Sequence, residues 1–229
     1  MAACAFAHGH GFLNVRAGEF DPLKTHLVQG TRVNGIGCPT GARTATFAGE
    51  DLVEGPAYTD PACPTGDPSD KHVRGLLLAK TGPTSNVASA VAKIGGVRGR
   101  VLNELGYDIR KPAGPSDNRG SHCGAGAPRF NIETTDGGFY FLGCNSPSAD
   151  MVTAGDGFLR LCWGGSAPLM AFSTSVGNFV DIKGKTLKSL SIVFDEGYDT
   201  GPDNFGLAVL DNIDVNGSLV GSGGASAGH

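Results

Sequence analysis

The sequence predicts an all-β chain, with two antiparallel sheets packed face to face and joined by long loops rich in glycine and proline. Three observations predict it. First, 37 glycines and 13 prolines punctuate the 229 residues. Glycine serves wherever the chain takes positive φ, and proline stops both helices and central strands, so only short extended segments fit between them. Second, those segments alternate apolar and polar residues with the period of a strand. Third, no run of ten or more residues carries a capped helical pattern.

Composition narrows the class further. Hydrophobic residues make up 40% and charged residues 17% of the chain, the balance of a folded domain rather than a disordered one. The length fits one large β domain or two small ones, and no fixed-period repeat divides it. The net charge is −4 with no basic cluster longer than a pair, which argues against a nucleic-acid partner. No apolar stretch approaches the roughly 18 residues of a membrane span.

The elements follow in order. Residues 1–20 read as a flexible segment or an edge strand, with "GFLNVRAGEF" as the candidate strand. A single sandwich domain is placed at 21–217, opening with a strand through Thr25–Val33. Residues 34–72, with prolines at 39, 56, 61, 64 and 68, predict a long loop region. "RGLLLAKT" (Arg74–Thr81) is a compact apolar run closed by Gly82-Pro83. In Val87–Val97, Val87, Ser89, Val91 and Lys93 alternate with Ala88, Ala90, Ala92 and Ile94. The alanines allow a helix, but Gly95-Gly96 and the missing caps favour a strand. Val101–Lys111 sets Leu105, Tyr107 and Ile109 against Glu104, Asp108 and Arg110, the pattern of a half-buried strand. "PRFNIET" and "GFYFLGC" flank Thr135-Asp136-Gly137-Gly138, the strongest hairpin signal in the chain. Further strands are predicted at Gly157–Trp163, Leu187–Glu196 and Phe205–Gly217, and 218–229 reads as a flexible tail. Roughly eight to ten short strands indicate a sandwich or jelly roll.

Six cysteines at 4, 38, 63, 123, 144 and 162 form no C-x-x-C pair, and their turn-like contexts suggest disulfides. The preferred pairs are Cys38–Cys63, which brackets a loop-rich excursion, and Cys123–Cys144, which brackets a strand pair. Cys4 and Cys162 could pair, or Cys162 could be a buried free thiol. Oxidised cysteines point to an extracellular or periplasmic location. No signal peptide is visible, since "MAACAFAHGHGF" lacks a basic start and a long apolar run.

Ser191 to Gly217 carries the densest supply of carboxylates. Asp195, Asp199, Asp203 and Asp211 could offer the oxygen ligands that Ca2+ prefers, or could simply be turn formers. Asp211 is the best single ligand candidate. It is read as sharing a face with Val209, Ile213 and Val215, where a lone carboxylate is costly unless paired or metal-bound. Glu104 and Asp108, four apart on one strand face, read as a solvated pair rather than catalytic carboxyls. Ser121-His122-Cys123 puts a nucleophile beside a base, but adjacent residues rarely face each other, and a disulfide accounts better for Cys123.

At this segment a resemblance enters. "GLAVLDNIDVNG" after "LKSLSIVFDEG" resembles the closing strands of jelly-roll carbohydrate-binding modules and related secreted sandwich domains. "LNELGYDIR", "APRFNIET" and "GFYFLG" are similar to their middle strands. The resemblance spans 74–217, through short and degenerate motifs. It implies the fold more than an activity, and in calcium-containing members it would put Asp211 near a structural ion. The expected function is a secreted, non-catalytic module that binds polysaccharide. Candidate ligand-binding residues are Trp163 at a strand end and Tyr58 and Tyr198 in loops, although a lone tryptophan in a sandwich is more often core. The alternatives are a secreted hydrolase or lyase on polysaccharide or ester substrates, and an assembly subunit that pairs through sheet edges.

Overall fold

A computed structural model describes residues 13–34, 45–48, 51–55, 74–81, 84–111, 128–144, 146–147, 150–153, 158–195 and 206–220. They hold sixteen strands and no helix. Two seven-stranded antiparallel sheets carry the fold, and a two-stranded ribbon stands apart.

The first sheet, A, is built from β1 (Asn14–Phe20), β6 (Ser89–Gly95), β8 (Arg129–Thr134), β9 (Phe139–Gly143), β12 (Met170–Ser173), β13 (Asn178–Asp181) and β14 (Leu187–Phe194). Its spatial order is β1-β6-β14-β8-β9-β12-β13. The second, B, runs β10-β11-β7-β15-β5-β2, with β16 added beside β15. Its strands are β2 (Val28–Asn34), β5 (Arg74–Lys80), β7 (Glu104–Arg110), β10 (Asp150–Thr153), β11 (Leu159–Gly164), β15 (Gly206–Val215) and β16 (Ser218–Leu219). The separate ribbon pairs β3 (Ala45–Ala48) with β4 (Asp51–Glu54).

Alternation aims one residue in two from each sheet at the shared core. Ala88, Ala90, Ala92 and Ile94 all point inward, so the alanine-rich segment is a strand. Across the sandwich they join Leu76, Leu78, Leu105, Ile109 and Leu210. Tyr107 and Trp163 of sheet B close on Phe130 of sheet A, with ring centroids 5.4 Å apart for Tyr107–Phe130 and 6.2 Å for Phe130–Trp163. The Tyr107 hydroxyl donates to the Pro128 carbonyl at 2.9 Å, which satisfies the polar end of a fully buried ring. Burial holds that hydroxyl well above the usual phenol range.

Along one edge β1 and β2 bring the sheets together. A Cβ on Gly30 would lie 2.4 Å from the Gly18 carbonyl oxygen, so this approach needs a residue without a side chain. Turn chemistry closes the predicted hairpin between β8 and β9. Asp136 Oδ1 accepts from Thr134 Oγ1 and from the Gly138 amide, and Gly137 takes a φ of 85°.

Several expectations change. The loop region assigned to 34–72 contains β3 and β4, a short hairpin whose residues carry no distinctive strand pattern. The sheet also continues past Gly217. β16 pairs with β15, and Val220 is buried with its amide on the Ile213 carbonyl at 2.6 Å. Short strands β10, β12 and β13 escaped the sequence reading, because four residues are too few to display a period. Finally, β7 is not half-buried, since every one of its residues is buried on both faces. No helix among the described residues is long and apolar enough to cross a membrane.

Candidate functional site

The outward side of each sheet carries polar or aromatic groups, and the two sides differ in character. On sheet B, the non-core positions of β7, β11 and β15 bring together Glu104, Asp108, Arg160, Asp211 and Asp214. Arg160 organises them. Its guanidinium donates to Asp214 at 2.9 Å, to Asp108 at 3.3 Å and to the Asn212 carbonyl at 2.6 Å. Asn212 closes the ring by donating from Nδ2 to Asp108 at 2.7 Å. Buried charges persist only when paired in this way, and truncating one partner strands the other.

A β-bulge makes this arrangement possible. The register of β15 against β7 slips between Asp211 and Asp214, and Asn212 takes a φ of 43°. Asparagine tolerates that left-handed geometry better than most residues. The bulge corrects the expectation for Asp211. Ile213 and Val215 belong to the core, whereas Asp211 lies on the opposite face beside Asp108. Burial, and secondarily the Asp108 charge, raise the Asp211 carboxyl above its ordinary range, against the Asn212 amide that it accepts at 2.8 Å.

Glu104 and Asp214 form the most perturbed pair. Glu104 is 8% exposed and Asp214 1%. Burial first, and then the neighbouring Asp214 charge, push Glu104 up to about 7. Asp214 is also raised by burial, although Arg160 opposes the shift. One oxygen of each, Glu104 Oε1 and Asp214 Oδ1, has no hydrogen-bond partner. Burial and mutual repulsion thus both disfavour two charges on this pair. Glu104 and Asp108, expected to be solvated, are buried instead, and Asp108 accepts from Arg160 and Asn212 across its face.

Of the four proposed calcium ligands, the two that are described lie in different sheets. Asp211 lies mid-strand in sheet B, and Asp195 follows β14 in sheet A, where Arg129 occupies both of its oxygens. Asp199 and Asp203 lie outside the described residues. Among the described residues no group of three or more His, Cys, Asp or Glu is placed to hold a metal ion.

Trp163 is also corrected as a binding platform. It is fully buried, packed edge-on against Tyr107 at 5.3 Å and facing Phe130. Tyr58 and Tyr198 lie outside the described residues. Cys144 and Cys162 are both disulfide-bonded, so the free-thiol alternative for Cys162 is withdrawn. Cys38, Cys63 and Cys123 lie outside the described residues, and with them the Cys38–Cys63 pair and the partner proposed for Cys144.

Sheet A presents what the sequence reading missed. Its outward face carries a straight cross-strand row, read from the register as Arg16–Lys93–Ser191–Asn131–Phe141–Phe172–Phe179. Each residue belongs to a different strand, and neighbouring strands lie about 4.8 Å apart, so the row runs for about 29 Å. Phe139 stands beside Phe141, with centroids 5.3 Å apart and planes at 90°. Phe172 and Phe179 meet edge-on at 5.8 Å. Phe139 and Phe179 are exposed, at 38% and 39%. The Arg129 guanidinium lies 4.9 Å over the Phe141 ring and is anchored on Asp195 and Asn131.

No family model, curated protein or solved structure matches this chain. The sheet B cluster is buried, with Arg160 bonded to Asp108 and Asp214 and one oxygen each of Glu104 and Asp214 left without a partner. The sheet A row is exposed at Arg16, Lys93 and Phe179 and half-buried between them. Its phenylalanines were legible as alternate residues in "GFYFLG" but gave no sign of alignment, because Phe141, Phe172 and Phe179 meet only through strand register.

Proposed function

We propose that this protein is a secreted, non-catalytic β-sandwich that binds polysaccharide across the outward face of sheet A. The observation that carries the reading is the aromatic half of the cross-strand row. Phe141, Phe172 and Phe179 line up on three adjacent strands, with Phe139 flanking them. A cluster of phenylalanines in water is unfavourable, and such patches on a sheet face mark contact surfaces. The C–H faces of sugar rings bury well against aromatic rings, and Asn131 and Ser191 continue the row with hydrogen-bonding groups. The phenylalanines stand edge-to-face, so they form ridges rather than a flat plate. Ridges suit a single glycan chain better than a crystalline surface. Export is supported by the oxidised state of Cys144 and Cys162, since disulfides persist in oxidising compartments.

The test is retardation in gels cast with soluble polysaccharides, using the wild type, Phe172→Ala and Phe179→Ala. Each truncation removes roughly 1.5–3 kcal/mol of apolar contact with the ligand. That corresponds to a loss of about ten- to a hundred-fold in affinity. Far-UV circular dichroism should stay unchanged, because both rings point away from the core. Retardation that persists in both variants would refute this use of the face.

A further inference from the structure

The polar half of the same row identifies the class of polysaccharide, and this inference rests on the binding reading above. Arg16 and Lys93 face each other directly across β1 and β6. Both are exposed. Like charges placed directly opposite on neighbouring strands repel and are normally offset by a carboxylate. None of the ion pairs among the described residues involves either one. Of the acids of this face, Asp195 pairs with Arg129 and Glu133 with Lys188, while Asp181, at the far end beside Phe179, accepts the Leu169 and Lys183 amides. The whole chain carries a net charge of −4, so two adjoining unpaired cations are a local feature rather than the reflection of a basic protein.

We infer that the row binds an anionic glycan of the uronate type. The chain would lie across the strands, with carboxylates on Arg16 and Lys93 and sugar faces on Phe141, Phe172 and Phe179. Two aspects of the geometry favour a uronate. The charged and aromatic ends lie on one line about 29 Å long, so one extended oligosaccharide reaches both. A uronate carboxylate also projects from the edge of its ring and leaves the C–H face free for phenylalanine. Exposed charge pairs of this kind are screened by salt, with a Debye length of about 10 Å at 0.1 M.

The experiment compares polygalacturonate with the same polymer after methyl esterification, which keeps the backbone and removes the charge. Affinity is measured by gel retardation and calorimetry for the wild type, Phe172→Ala and the double variant Arg16→Glu/Lys93→Glu. The expected result is binding to the free acid that weakens as salt is raised. Esterified polymer should bind at least ten-fold more weakly, and the double reversal should lose at least ten-fold on the free acid only. Equal affinity for acid and ester, or a double variant that binds like wild type, overturns the uronate assignment. If Phe172→Ala still abolishes retardation in that case, the polysaccharide reading survives. A wild type that binds neither polymer, but dimerises through a contact that Phe172→Glu disrupts, overturns both in favour of self-association. Circular dichroism of the double variant checks that the edge strand β1 remains folded. If it does not, Lys93→Glu alone, on the inner strand β6, gives the same readout.

Discussion

At the scale of single residues, Glu104 governs how stability responds to pH. Its carboxyl ionises near 4.5 when exposed and at about 7 in the fold. The folded state therefore holds a proton that the unfolded chain has lost between those values, and stability falls as pH rises through that window. The shift corresponds to a change on the order of 3 kcal/mol, because the group is nearly fully covered. Glu104→Gln keeps the shape and a donor toward Asp214 but cannot ionise. Chemical denaturation from pH 4.5 to 7.5 should show the wild type weakening relative to Glu104→Gln, with the variant more stable at the upper end. Parallel profiles would place the proton elsewhere. Asp214 and Asp211 shift in the same direction and add to the wild-type slope. Arg160→Met is expected to destabilise by roughly 3–5 kcal/mol, because it leaves Asp108 and Asp214 buried without their cation.

At the scale of elements, ends and irregularities decide where strands point. β11 stops at Gly164, whose φ is 93° and where an added Cβ would lie 2.2 Å from the Asn103 carbonyl oxygen. Gly177 also has positive φ, at 71°, but open space around it. Alanine at Gly177 should therefore cost about 1–2 kcal/mol from backbone strain alone. Alanine at Gly164 should cost about 2 kcal/mol more, since backbone on both sides of the clash must move. Paired denaturation curves measure that difference, and equal costs would show that the β11 turn is freer to shift than its packing indicates. The β15 bulge has the opposite kind of consequence. By slipping the register between Asp211 and Asp214, it lets both carboxylates face Arg160's side of the sheet while Ile213 and Val215 stay in the core. A regular strand could not place Asp211 and Asp214 on one face, because they are separated by an odd number of positions.

At the scale of the whole molecule, the two sheets share one core and should melt together. Trp163, the only tryptophan, sits in sheet B against Phe130 of sheet A, so its fluorescence reports the contact between layers. Unfolding followed by Trp163 emission should coincide with unfolding followed by far-UV circular dichroism. Two separated transitions would mean that one sheet survives the loss of the other. The strand pairings are strongly non-local, with Lys93 of β6 beside Ser191 of β14 and Leu105 of β7 beside Val215 of β15. Such topologies close long loops before contacts compensate for them, so folding is expected in milliseconds to seconds.

From the sequence alone came the class of secondary structure, the β8–β9 hairpin, the alternation of β6 and the inward face of β7. These depend on period and turn chemistry, which are local: Ala88 to Ile94 alternate whatever surrounds them, and Asp136-Gly137 bends the chain on its own. Only the tertiary structure decided what lies on the other faces. Glu104 and Asp108 look the same in sequence whether their face meets water or Arg160. Phe141, Phe172 and Phe179 are separate signals until β9, β12 and β13 stand side by side. Alternation says which residues share a face, but burial and alignment depend on which distant strands become neighbours.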